Sequence, residues 1–135
     1  MVRTSQDVNI SNQQRAEIAN KNNAGAFIRL HCNSDDSSSI HGTLTMAPSE
    51  SNPYCSQIAT ASQRLSKTVV NSICNQTGSK NRGVIITDVM SGINWCQVPV
   101  TIVEMGFMSN PDEDRLLGDS TYQDKNCYGN CFRNK

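Results

Sequence analysis

The chain is poor in aromatic residues and has only two histidines among 135 residues. Aromatics make up 5% of it, and no basic stripe is interleaved with them, so base-stacking platforms for single-stranded nucleic acid are not expected. Neither sign of charge prevails, with twelve Lys plus Arg against twelve Asp plus Glu. That balance argues against a nucleic-acid partner or a charged membrane surface. No apolar run is long enough to span a bilayer. The first residues, Met1-Val2-Arg3-Thr4-Ser5-Gln6-Asp7, are polar and unlike a signal peptide. There is no CxxC pair among the six cysteines (Cys32, Cys55, Cys74, Cys96, Cys127, Cys131), which excludes zinc-ribbon spacing. Their even number permits disulfides. A chain of this size has enough core not to need them, and they are expected as small buried hydrophobes or unpaired thiols.

What is present alternates between helical and extended patterns. Asp7 to Ala24 reads as a helix, with Ser11 and Gln14 as a capping box and Gly25 as its stop. Ala26 to His31 reads as a short strand, followed by a polar loop from Asn33 to Ser39. Gly42 to Met46 is a second strand. A long helix is predicted from about Tyr54 to Thr77, with Ile58, Ala61, Leu65, Thr68, Val69, Ser72 and Ile73 as its core stripe, ending at Gly78. Val84 to Asp88 and Val98 to Glu104 complete the strands. Asn110 caps a short helix whose first turn holds Pro111, Asp112 and Glu113. This alternation predicts an α/β fold, an open sheet covered by helices, with sites at the strands' carboxyl ends.

Two residues stand out at such ends. Pro99 to Phe107 runs apolar, places Glu104, and turns at Gly106. A carboxylate at the edge of an apolar layer costs several kcal/mol, of order, without a partner, so Glu104 is a site candidate. His31 follows Phe27-Ile28-Arg29-Leu30. A histidine and a glutamate at neighbouring strand ends suggest hydrolysis by a zinc-bound water, although one histidine is one ligand of three. Other chemistries fit less well. Ser91 and Ser109 have no histidine arrangement around them. Cys32 and His31 are strand neighbours and point to opposite faces. His41, the second histidine, stands where a strand begins.

Two segments carry a family resemblance. Phe27-Ile28-Arg29-Leu30-His31-Cys32-Asn33-Ser34 resembles the "F-I-S-I-H-A-N" segment of the zinc-dependent N-acetylmuramoyl-L-alanine amidases of the amidase-3 family. Val100 to Asn110 resembles that family's "VLVELGFLSN" segment. Arg3-Thr4, Asp7 and Ser11-x-x-x-Arg15 resemble its "TR…D…L-x-x-R" region. The resemblance implies a peptidoglycan hydrolase that cleaves the amide between N-acetylmuramic acid and L-alanine with a Zn2+ cofactor. It implies His31 as a metal ligand, Glu104 as the catalytic glutamate, and Asn33 beside the cleft. Asn94 and Trp95, in the loop before the Glu104 strand, are candidates for contact with glycan or stem peptide. Peptidoglycan is the implied partner, and the cell wall or extracellular space the implied location.

The resemblance also implies departures. The family's "GHGG" segment, with its strand, its histidine ligand and the glutamate on the following helix, has no counterpart here. Glu17 and Glu50 are not positional substitutes. Residues 1–125 are therefore expected to be a partial amidase-3 domain, lacking its N-terminal strand region and two of three ligands. Residues 126–135 are expected to be a divergent tail of poor helix material. One choice of synonymous codons for this tail, read one base out of phase, encodes Ile-Ala-Thr-Gly-Ile-Ala-Ser-Gly-Ile, so a frameshift is an explanation for it. The alternative function is a catalytically inactive remnant, or a fragment that binds peptidoglycan.

Overall fold

A computed structural model describes residues 8–130. Arg3, Thr4 and Asp7 of the family-like N-terminal segment lie outside the described residues, as do Cys131 and the end of the tail.

The elements run α1 (Asn12–Lys21), β1 (Phe27–Asn33), β2 (Thr43–Ala47), a 3-10 turn (Ser56–Ile58), α2 (Ala59–Thr77), β3 (Asn81–Ile86), α3 (Ser91–Asn94), β4 (Val100–Phe107), α4 (Pro111–Leu117) and α5 (Ser120–Asn130). The strands form one mixed sheet in the order β1-β4-β2-β3. β4 lies parallel to β1 and antiparallel to β2, and β3 runs parallel to β2. The fold is thus α/β with an open sheet and helices, as expected.

Local chemistry sets most boundaries. α1 begins at Asn12 rather than Asp7, because Ser11 accepts a hydrogen bond from the Gln14 amide while the Gln14 side chain caps the Ser11 amide. A capping residue stands outside its helix. Gly78 ends α2 in the left-handed conformation, φ 75°, which glycine adopts without strain. Asn110 caps α4 by accepting from the Asp112 and Glu113 amides, with Pro111 in the first turn.

β4 is central, and all but one of its residues are buried. Its β-branched run Val100-Thr101-Ile102-Val103 suits a strand covered on both faces. Ile102 packs with Ala16, Cys55 and Ile93 on one face, and Val103 packs with Val69 and Ile73 on the other. The expected core stripe of α2 is partly corrected. Ala59, Ser62, Ser66, Val69, Val70 and Ile73 are buried, whereas Ala61 and Thr68 are exposed. Small hydroxyl residues let the helix approach the sheet and bond to it. Ser62 Oγ accepts from the Val100 amide at 3.0 Å, and Ser66 Oγ donates to Thr101 Oγ1 at 2.8 Å.

The expectation of poor helix material from Asn126 onward is corrected for the described part of the tail. α5 continues to Asn130 and packs on α2. Asn126 is 3% exposed. A Cβ on Gly129 would lie 2.7 Å from Ile73 Cα, so glycine is what lets the two helices touch. Tertiary contact outweighs the low propensity. The five described cysteines carry free thiols.

Candidate functional site

β1 and β4 place His31 opposite Glu104 in the parallel register. Neither stands at the strand's last residue, as the sequence suggested. Glu104 is fifth of the eight residues in β4 and His31 fifth of the seven in β1. The strands continue past this pair: after a register shift, Asn33 pairs with Phe107 before α4 begins. On its other side Glu104 faces Leu44 of β2, an apolar neighbour that is itself buried.

Glu104 is 6% exposed. Its Oε2 is buried without a hydrogen-bond partner. Its Oε1 lies 3.9 Å from His31 Nδ1, and the His31 side chain is 42% exposed. Burial pushes the Glu104 carboxyl up to about 7. Burial, followed by the nearby positive charges of Arg29 and Arg15, lowers the His31 imidazole below its ordinary value. The distance alone would allow an ion pair, but both shifts favour the neutral forms. At neutral pH the pair is therefore a neutral imidazole beside a carboxyl poised to gain or lose a proton. Such a carboxyl suits general acid–base work.

The remaining site candidates are not drawn together. Asn33 ends β1, where its side-chain oxygen accepts from the Ser34 amide at 2.8 Å and its carbonyl from the Met108 amide at 2.8 Å. It lies two positions beyond His31 along the strand. Asn94 is occupied elsewhere: its amide donates to the Asp88 carbonyl and its oxygen accepts from Asn52. Trp95 is 51% exposed. Both precede β4, beside its amino-terminal end, whereas Glu104 stands in the carboxyl-terminal half. Sequence proximity to the strand had suggested nearness to its acid, but the strand's rise separates them. His41 is exposed, faces the Ser39 carbonyl and lines a separate cavity with Lys80, Asn110 and Asp112.

A catalytic zinc takes three protein ligands and a water. Among the described residues no group of three or more His, Cys, Asp or Glu could hold a metal ion. The residues present therefore do not fit a complete zinc centre, and His31 is one potential ligand.

Two supporting side chains were missed by sequence reasoning. Glu113 was expected only to suit the positive end of α4. It is buried, and its two oxygens accept from the Gly42 amide at 2.9 Å and the Phe107 amide at 2.8 Å. It thereby ties the end of β4 to the start of β2, the two strands flanking the Glu104–Leu44 pair. Arg29 is buried on the same side of β1 as His31, two residues before it. It donates to Asn12 Oδ1 at 2.8 Å and to the Gly92 carbonyl at 3.3 Å, joining β1 to α1 and α3. The available signal was a charged residue inside an apolar strand pattern.

Comparison with known proteins supplies the class. Residues 1–129 match the Amidase_3 family, described as N-acetylmuramoyl-L-alanine amidase. The chain belongs to this family.

Among particular relatives, it is 30% identical over 121 residues to the N-acetylmuramoyl-L-alanine amidase LytC of Bacillus subtilis, covering 90% of this chain and 23% of that protein. The catalytic domain of CwlV, an N-acetylmuramoyl-L-alanine amidase from Bacillus (Paenibacillus) polymyxa var. colistinus, superposes with a TM-score of 0.80 at 25% identity. That match covers 94% of this chain and 65% of the domain. The CwlD amidase of Clostridioides difficile, solved in complex with the GerS lipoprotein, gives a TM-score of 0.75 at 29% identity, over 87% of this chain and 56% of that one. The chain thus spans less than two thirds of each.

Proposed function

We propose that this chain contributes the proton-transfer residue of a peptidoglycan amidase that cleaves the amide between N-acetylmuramic acid and L-alanine. The observation that carries the reading is Glu104, a buried carboxyl held near pKa 7 beside a neutral imidazole. In this role Glu104 accepts a proton from the attacking water as it adds to the amide carbon. It then delivers a proton to the departing nitrogen, so that L-alanine leaves as an amine rather than an amide anion. His31 is proposed as one ligand of the family's zinc. Because the described residues supply no complete ligand set, no step is assigned to the ion. Asn33 is proposed to meet substrate at the cleft; Asn94 and Trp95 remain candidates for a more distant part of the glycan or stem peptide. The proposed place of action is the cell wall or extracellular space. Among the described residues no helix is long and apolar enough to cross a membrane.

A second reading is a peptidoglycan-binding piece without hydrolytic activity, favoured by the single potential ligand. One experiment separates the two. Purified peptidoglycan is incubated with the chain and zinc, and new L-alanine amino termini are counted. Release that disappears in Glu104→Gln, with the fold retained, supports the amidase reading. Sedimentation with peptidoglycan but no new termini supports the second.

A further inference from the structure

We propose that the cavity between the end of α2 and α4 binds a small zwitterionic peptide, held by its ammonium and its carboxylate at once. The cavity has a volume of about 430 Å³, within the range of small-ligand sites. It lies at the β2–β3 side of the sheet, away from β1. α5 starts at its wall with Tyr122 and then runs along α2, with Gly129 against Ile73.

Its charges come from different walls. Lys80, in the turn between α2 and β3, supplies a cation. Asp112 and Glu113, in the first turn of α4, supply anions. Among the described residues the Lys80 ammonium has no ion-pair partner. Asp112 pairs with Arg115 on the exposed surface of its own helix, a contact of small energy that a ligand exchanges readily. Glu113 is buried and its oxygens accept from the Gly42 and Phe107 amides, so its charge is fixed in the wall. Opposite charges that share a cavity without meeting leave a gap that a ligand carrying both charges closes. An anion alone would face Asp112 and Glu113, and a cation alone would face Lys80.

The floor adds hydroxyl oxygens. Thr77 Oγ1 donates to the Ile73 carbonyl at 2.8 Å and accepts from the Ser79 amide at 3.2 Å. Thr43 Oγ1 donates to the Met105 carbonyl at 3.2 Å, which leaves Ser79 Oγ to donate to Thr43 at 2.8 Å. The Thr77 and Ser79 protons are thus turned into the protein, and Ser79 Oγ keeps the capacity to accept from an ammonium. Tyr122, 7% exposed, brings its phenol beside both hydroxyls. Leu116, 44% exposed, gives an apolar wall for short side chains. This inference does not rest on the amidase reading.

The test uses the full chain and three probes of similar size: the dipeptide Ala-Ala, its N-acetyl derivative and its C-terminal amide. Backbone amide signals are followed by NMR. Millimolar Ala-Ala is expected to shift Ser79, Lys80, Asp112 and Leu116 saturably, and either cap to weaken binding about tenfold. Lys80→Gln should weaken Ala-Ala binding by a similar factor and leave the amide's weaker binding unchanged. Asp112→Asn should do the same with the N-acetyl form. Both side chains are exposed, and unchanged β4 signals report that the variants fold. No saturable shift with Ala-Ala overturns the proposal. So do equal affinities for the three probes, loss on capping one end only, shifts confined to residues outside the cavity, or variants that bind Ala-Ala as the wild type does.

Discussion

His31 Nδ1 and Glu104 Oε1 stand 3.9 Å apart in matched register on adjacent parallel strands, yet both groups are biased toward their neutral forms. The cause is the uneven setting of the pair. Glu104 has Leu44 on its far side and no hydrogen bond to Oε2. His31 lies on the side of the sheet that also carries Arg29. Each environment opposes a charge that the other partner alone would favour. An acid kept half-ready in this way can exchange a proton near neutral pH, which a fully solvated glutamate cannot do as effectively.

Glu104 is expected to cost the fold stability at high pH. Its carboxyl rises from 4.5 to about 7 on folding, so the folded state binds more protons between those values, and stability falls as pH rises through that window. The full penalty, roughly 3 kcal/mol, applies above pH 7. Glu104→Gln should therefore be more stable than wild type by about 1–3 kcal/mol at pH 8 and nearly equal at pH 4, since the amide stays neutral. Urea unfolding at the two pH values measures this. A gain of equal size at both would show that charge burial is not the cause.

Glu113 should be a stability determinant. Glu113→Ala leaves the Gly42 and Phe107 amides without their acceptor, a cost of about 2–5 kcal/mol. Glu113→Gln retains one acceptor oxygen and should cost clearly less. Denaturant midpoints of the two variants give the comparison, and similar losses would contradict the bridging role.

Gly129 tests whether the end of α5 is seated on α2. Gly129→Ala gains intrinsic helix propensity of about 1 kcal/mol but places a methyl against Ile73 backbone. Overpacking of this kind costs about 1–3 kcal/mol, so a net loss is expected. A raised melting temperature would indicate that the helix ends are not in contact.

Metal analysis addresses the ligand count. With His31 as one potential ligand, the purified chain should lose zinc on gel filtration and show no saturable one-to-one site at micromolar concentration by calorimetry. Tight equimolar zinc abolished by His31→Ala would reveal ligands beyond those described.

The fold was largely legible because its signals are local. Ser11 with Gln14, Gly78, and Asn110 before Pro111 act within a turn of chain, and each performs the predicted task. The apolar run of β4 marked a buried strand for the same reason. Local signals failed where distant chain decides. Nothing near Asn126 or Gly129 foretells a helix, because its support is the surface of α2. Ser62 and Ser66 fall outside the core stripe expected of α2, yet both are buried, because each bonds to β4.

His31 and Glu104 were nominated by the sequence alone, since charge and imidazole inside apolar strand patterns are costly enough to be conspicuous. Their register, the orphaned Glu104 oxygen and the raised carboxyl pKa arise only in the assembled sheet. The Glu104 shift comes from burial, with Leu44 beside it on β2, and Arg29 acts on His31 instead. Tertiary structure also separated Asn94 and Trp95 from that pair and gave Glu113 its two amides. Sequence carried the identity of the candidate groups and the elements that bear them. The sheet decided which groups meet, because desolvation and pairing depend on neighbours that are far apart in the chain.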